Sequence, residues 1–179
     1  RIGQFTLLNS QLIIKSDKTE KTFLISQLDW LNEGDRHRAK GDVIVDGLTS
    51  NYLKVLLDVK GNDFSDISGQ LYLKANQLNI TPWLDKLFVI DDDKTHSEIN
   101  FDAWLNIEKG VAQQLELVLG NNEISWQEDS GTKVITLNSG GIIASNFAKF
   151  TQFSLHTTPL EIVINGKPWQ PINVQLRKN

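Results

Sequence analysis

Apolar residues recur at every second position of this chain, in short runs broken by turn formers, and that period is the pattern of half-buried β-strands. In the stretch from Phe101 to Gly110, FDAWLNIEKG, Phe101, Ala103, Leu105 and Ile107 fall on one side of an extended strand. Asp102, Asn106 and Glu108 fall on the other, because successive side chains point to opposite faces. Trp104 sits among the polar set, which leaves open what the apolar side lies against and what the tryptophan is for.

The same alternation pairs Phe5 with Leu7 and Leu12 with Ile14, and places Leu24, Leu28 and Trp30 on one side of the segment KTFLISQLDW. Val43 and Val45 form another pair. Leu53, Val55, Leu57 and Val59 stand in step, as do Leu71, Leu73 and Ala75, and then Leu115, Leu117 and Leu119. Further segments, TKVITLN, QFSLHT, LEIVING and PINVQL, complete a series of about eleven strands. Between them EKG, GNN, EDSG, NSGG and ING supply Gly and Asn, which tolerate the positive φ angles of tight hairpins. Past Leu119 the apolar positions move from odd to even, at Ile124 and Trp126, so a bulge or sharp turn is expected at Gly120 to Asn122. One segment departs from the period. In ITPWLDKLF, Thr81 is placed to cap a helix, Pro82 to begin it, and Trp83, Leu84, Leu87 and Phe88 recur at helical spacing, which predicts a two-turn helix over residues 81–88.

The fold class expected is therefore all-β, an antiparallel and one-sided sheet, in a single unit over residues 1–179. A sandwich, a closed barrel and a sheet curled into a trough all hide such a face, and the first two are the commoner solutions. An open trough exposes more apolar surface than a monomer usually shows and needs a ligand or a neighbouring repeat against it.

Charge and composition narrow the function. A formal charge of -4 over 179 residues, with dispersed lysines, does not supply the clustered cations that bind phosphate backbones, so no nucleic-acid partner is expected. There is no cysteine, which removes disulfides and thiolate metal sites. The chain has no methionine and begins at Arg1, and is read as an excerpt of a longer protein. No apolar run approaches the roughly twenty residues of a membrane helix.

Catalytic patterns are equally sparse. His37, His96 and His156 stand far apart without metal-ligand spacing, and neither a nucleophile elbow nor a phosphate-cradling glycine loop occurs. The run Asp91-Asp92-Asp93 offers oxygen ligands for a hard cation. Counting from Asp91, however, His96 and Asp102 occupy the places where a calcium loop carries glycine and glutamate, and a solvated loop is the simpler reading. The five tryptophans, Trp30, Trp83, Trp104, Trp126 and Trp169, raise the alternative of a sugar-stacking platform on a β-sandwich, set against ordinary burial of large rings. No enzyme activity, cofactor or metal is expected.

The order of several of these motifs resembles a known family. The strand Ala103-Trp104-Leu105-x-Ile107-x-x-Gly110 is followed by Leu115-x-Leu117-x-Leu119 and closed by Ile124-x-Trp126. Upstream lie LLNSQL at Leu7 to Leu12 and LDW at Leu28 to Trp30, and downstream the turn NGKPW at Asn165 to Trp169. Together they resemble the AsmA-like proteins of Gram-negative bacteria, and more closely their YhdP branch. The resemblance implies a non-enzymatic periplasmic segment of a bridge-like lipid transfer protein, whose parent is held in the inner membrane by an anchor outside this stretch. It also implies neighbouring repeats as partners, and phospholipid acyl chains as cargo in transport towards the outer membrane and in the lipid homeostasis of that membrane. On that implication Leu53, Val55, Leu57, Val59, Leu71 and Leu73, with Phe101, Leu105, Ile107, Leu115, Leu117 and Leu119, face the lipid. A purely structural β-spacer is the remaining alternative.

Overall fold

The structure is a computed structural model that describes residues 3–16, 19–45, 53–63, 65–81, 84, 95–146 and 153–178. Thirteen strands follow in chain order: β1 (Gln4–Ser16), β2 (Thr19–Glu33), β3 (Arg36–Val45), β4 (Leu53–Lys60), β5 (Ser68–Leu78), β6 (Thr95–Glu108), β7 (Val111–Leu119), β8 (Asn122–Glu128), β9 (Gly131–Ser145), β10 (Phe153–Thr157), β11 (Glu161–Ile164), β12 (Lys167–Pro168) and β13 (Gln175–Lys178). The count exceeds the expected eleven because β12 is a two-residue piece and because the segment from Val111 to Glu128 is broken into two strands.

All thirteen belong to one sheet, in the order β1-β2-β3-β4-β5-β6-β7-β9-β10-β13, with antiparallel neighbours throughout. Spatial order follows chain order from β1 to β7 because each connection only has to reverse the chain, the cheapest link between antiparallel strands. β7 and β8 lie end to end between β6 and β9. β7 pairs with Phe101 to Glu108 of β6 and with the end of β9, and β8 pairs with Thr95 to Glu98 and with the start of β9. The break between them, at Gly120 and Asn121, is where the sequence predicted one. Its geometry is held by Asn122, whose Oδ1 accepts the Asn100 amide at 2.5 Å while its Nδ2 donates to the Gly120 carbonyl at 2.8 Å.

Side chains opposite one another in an antiparallel ladder share a face, so the registers assign every strand to a side. One expectation fails on this test. The β2–β3 ladder shifts between Ile25 and Gln27, so that Ile25 pairs with Val43 and Leu28 with Gly41. Val43 and Gly41 lie on one side of β3, and Ile25 and Leu28 therefore share that side, while Leu24 is turned to the other. The burial agrees: Ile25 is 4% exposed and Leu24 44%. The extra residue, Ser26, is a bulge that strict alternation does not anticipate. A second irregularity sits across from it in β1, where Asn9 adopts φ 45°.

Of the helix expected over residues 81–88, only Thr81 and Leu84 are described, both buried. The Leu84 amide donates to the Ile80 carbonyl at 3.1 Å, one helical hydrogen bond. Ahead of it Asn79 Oδ1 accepts the Thr81 amide at 2.9 Å, and the Thr81 hydroxyl meets Ser97 Oγ at 3.0 Å. The other positions of that helix, Pro82, Trp83, Leu87 and Phe88 included, and the acidic run Asp91 to Asp93 lie outside the described residues.

Two predictions follow from the packing of turns and strands. A Cβ on Gly41 would stand 2.1 Å from the Gln27 carbonyl oxygen and 2.8 Å from the Leu28 Cα, both backbone atoms beside the bulge. Gly41→Ala is expected to destabilise the fold by about 1–3 kcal/mol, read as a lower urea midpoint. Gly3→Ala, with nothing within 4 Å, leaves the midpoint unchanged. Second, Arg36 holds Asp58 through Nε at 2.8 Å and its terminal nitrogen at 2.5 Å, and this hydrogen bonding keeps the Asp58 carboxyl below the usual carboxylate range. The amides of Asp63 and Asn62 do the same for Asp66. A carboxylate whose folded pKa is depressed stabilises the fold above its unfolded pKa, about 4 for aspartate, and that contribution is lost as pH falls through the folded value. Urea midpoints are therefore expected to hold from pH 7 to about 5 and drop below about 4. In Asp66→Asn that drop should shrink.

Candidate functional site

The registers place the twelve residues singled out in the sequence on one face, and in rows. One row runs from Phe5 through Trp30, Ala39, Leu57, Leu71, Leu105, Leu115, Ala144 and Leu155 to Leu176, each residue paired with the next across ten strands. No member is polar apart from the indole N–H. At about 4.8 Å per strand the row is about 43 Å long. Its neighbour towards the β5–β6 connection holds Leu7, Leu28, Gly41, Val55, Leu73, Ala103, Leu117 and Ile142. The next contains Ile25, Val43, Leu53, Ala75, Phe101 and Leu119. On the other flank Asn32, His37, Val59, Gly69 and Ile107 line up.

This face has no dry interior of large side chains. The buried apolar residues among those described are Ile25, Ala39, Val59, Ala75, Leu78, Leu84 and Ala103, while the leucines of the rows on β4 to β7 are half-buried. In a β-sandwich the inner face of a second sheet would cover those leucines at interior density. Their partial exposure selects the open arrangement over the sandwich. Among the described residues β1 and β13 end the strand order without pairing to each other, which is not the arrangement of a closed barrel.

The reverse face is mostly polar and answers the question of Trp104. Thr6, Asp29, Lys40, Leu56, Tyr72, Trp104 and Glu116 form a row there. Trp104 packs on its cross-strand partner Tyr72, with ring centroids 5.3 Å apart and planes tilted by 43°. The Tyr72 hydroxyl donates to Asp102 Oδ1, a bond that raises the phenol pKa, and Lys74 approaches the same carboxylate at 3.4 Å. Leu56, Tyr72 and Trp104 form the floor of an open depression of about 760 Å³, edged by Asp29, Arg38, Lys40, Asp58 and Gln70. Most of these edge groups are engaged within the sheet: Asp29 with Thr6 and Gln27, Asp58 with Arg36, Gln70 with Asn106 and Arg38 with Glu33.

The tryptophans do not make one stacking plane. Trp30 lies on the apolar face, stacked on Phe5 at 5.9 Å with an interplanar angle of 12°, and Trp104 lies on the opposite face. Trp126 donates its N–H to Glu128 at 2.9 Å, Trp169 is 57% exposed at the β12 turn, and Trp83 is outside the described residues. The histidines are also dispersed. His37 bridges Asn32 Oδ1 at 2.6 Å and the Gly61 carbonyl at 2.9 Å, His96 lies 3.4 Å from Glu98, and His156 is exposed on β10. Among the described residues no three His, Cys, Asp or Glu side chains converge as a metal set. What the arrangement offers chemically is area: a wide apolar surface that gains free energy when apolar matter takes the place of water, without fixing that matter's position.

Comparison with known proteins is consistent with the fold and motif order. A family model described as YhdP protein matches residues 1–179. The intermembrane phospholipid transporter YhdP of Escherichia coli (strain K12) is 26% identical over 172 residues, which is 94% of this chain and 13% of that protein. The chain thus spans a small part of the length of this curated relative. No solved structure matches. No helix among the described residues is long and apolar enough to cross a membrane. The match of the family model from the first residue to the last assigns the chain: it belongs to the YhdP family.

Proposed function

We propose that the apolar face of this sheet shields phospholipid acyl chains, as one segment of a longer periplasmic protein that carries phospholipid between membranes towards the outer one. In this reading the parent is anchored in the inner membrane outside this stretch, and neighbouring repeats continue the surface. The observation that carries it is the uninterrupted apolar row from Phe5 to Leu176, uncovered by any second layer among the described residues. A surface of that size is unstable against water, and a sliding acyl chain removes apolar area from water at every point along it, for about 25 cal/mol per Å². The relative's name as a phospholipid transporter supplies the class of cargo. Movement along such a surface is non-enzymatic: it calls for no nucleophile, general base or cofactor, and the reading assigns none. The lipid-facing set is Leu53, Val55, Leu57, Val59, Leu71, Leu73, Phe101, Leu105, Ile107, Leu115, Leu117 and Leu119, all on the one face.

The alternatives fare less well. A sugar-binding sandwich calls for a closed core and coplanar outward rings, whereas the large apolar residues are half-exposed and Trp30 and Trp104 point to opposite sides. A structural spacer filled by its own side chains and the 81–88 helix requires the rows to be covered, whereas the described leucines of β4 to β7 are half-exposed.

Leu117→Asp and Leu57→Asp separate these readings. Each residue is half-buried, so a charge there remains in contact with water and is expected to cost about 1–2 kcal/mol, a fall in Tm of about 2–8 °C. Native mass spectrometry with lipid extraction should find phospholipid on the unaltered chain and a loss of at least tenfold in occupancy in either variant. Folded variants that retain full lipid occupancy would sink the assignment of these rows, and a chain that takes up no phospholipid would return it to a structural role.

A further inference from the structure

At β5 and β6, among the described residues, the apolar strip ends differently at its two margins along the strand direction. Where β5 ends, Ile80 and Thr81 pack back on the face. Ala75 and Leu78 are each 3% exposed there, with Leu53, Ile80, Ile99 and Phe101 packed on them. Ser97, on the same side of β6 as Ile99 and Phe101, has no exposed surface at all. Its hydroxyl is fully engaged: Oγ accepts the Ile80 amide at 3.0 Å, lies 3.0 Å from the Thr81 hydroxyl and donates to Asn79 Oδ1 at 3.3 Å. Around Ser97 this margin is closed among the described residues, and these polar atoms are engaged with one another. A charged headgroup brought against Ser97 would lose water and meet polar atoms already engaged with one another, an unfavourable transfer.

The opposite margin is open and wet. Beyond the long apolar row come Asn32 and His37, part-exposed and in line with buried Val59 and half-exposed Ile107. The β2–β3, β4–β5 and β6–β7 turns follow directly, and they carry exposed charges of both signs, among them Asp35, Lys60, Asp63, Glu108 and Lys109. Mixed charge of this kind complements a phosphate and, where the headgroup has one, an amine. Along β6, Phe101 beside the closed margin and Ile107 beside the open one are separated by six residues, about 20 Å. One leaflet's hydrocarbon depth is about 15 Å, half of a bilayer core, so an acyl chain fits between the margins.

We infer that phospholipid on this face lies with its acyl chains along the strands, methyl ends towards the Ser97 cap and headgroup at the β2–β3, β4–β5 and β6–β7 turns. The inference rests on the phospholipid reading above and adds a polarity to it. Travel from strand to strand across β4 to β7 then keeps the headgroup on one wet rim, and no headgroup crosses the apolar rows there.

Because the chain has no cysteine, one introduced thiol labels cleanly. Bimane attached at Ile107→Cys reports on the open margin and at Leu53→Cys on the closed one, with Leu105→Cys and Leu119→Cys as a second pair should either of the first fail to fold by circular dichroism. Each labelled chain is saturated with phosphatidylcholine carrying a nitroxide either at the acyl terminus or on the headgroup. The acyl-terminal nitroxide should quench the closed-margin label at least twofold more than the open-margin label, and the headgroup nitroxide should reverse the order. Equal quenching at both margins, or the opposite order, overturns the polarity and leaves lipid binding in place. No quenching at either margin by either lipid overturns the polarity together with the reading on which it rests.

Discussion

Register is the constraint on which this structure depends. Side chains alternate along every strand, so an apolar row across ten strands exists only if each ladder keeps its partners in phase from β1 to β13. A slip of one residue in any ladder would send the following strands' leucines to the polar side. The bulges show where phase is controlled: Ser26 moves Ile25 onto the apolar face, the shift between Ala75 and Leu78 brings Leu78 there, and the break at Gly120 and Asn121 resets the strand that continues as β8. Each adds local twist, which bends a long sheet away from flatness.

A sheet with one uncovered apolar face cannot draw its stability from a dry core in the usual way. Here the contribution comes from hydrogen-bonded neighbours and from cross-strand side-chain pairs, each of the latter about 0.2–1 kcal/mol. Phe5 on Trp30 and Tyr72 on Trp104 are such pairs, one on each face. The small buried residues Ala39, Ala75 and Ala103 lie beneath larger neighbours on adjoining strands and keep the face continuous. What remains exposed is a continuous apolar surface, larger than a monomer usually leaves to water, and on the proposed reading that surface is where acyl chains lie. The polar face, with several of its charges engaged within the sheet, carries Trp104 as a structural partner of Tyr72.

Much of this was legible in the sequence. The period-two pattern identified the strands, and Leu53 to Val59, Leu71, Leu73, Leu105 and Leu115 to Leu119 share a face at their odd positions as the alternation requires, because the ladders keep one register between them. The β6–β7 ladder shifts only past Asn106, where Val111 pairs with Glu108 and falls on the other side. The bulges were less visible. The change of phase between Phe5–Leu7 and Leu12–Ile14 was a signal for the irregularity at Asn9, a residue that tolerates positive φ, but it resembles two separate strands. Ser26 offered no such sign, and Leu24 was therefore placed on the wrong side. Gln77, at φ 51°, is likewise not a residue from which a left-handed position is expected. Nor could the sequence show that Ser97 meets Thr81 and Asn79, since a serine in a polar stretch becomes a buried hub only when the chain after β5 folds back over it. The choice between sandwich and open sheet was closed by exposure alone, a property of tertiary arrangement that strand pattern does not encode.

The most direct test of the account is which face touches lipid. Of two variants, one keeps Trp30 as its only tryptophan, with the other four replaced by phenylalanine, and one keeps only Trp104. Each is titrated with phosphatidylcholine brominated in its acyl chains, and indole fluorescence is followed. The account predicts strong quenching of Trp30 and little of Trp104, because only the first shares a face with the apolar rows. Quenching of Trp104 equal to or greater than that of Trp30 would contradict it, as would two emissions that bromine leaves unchanged.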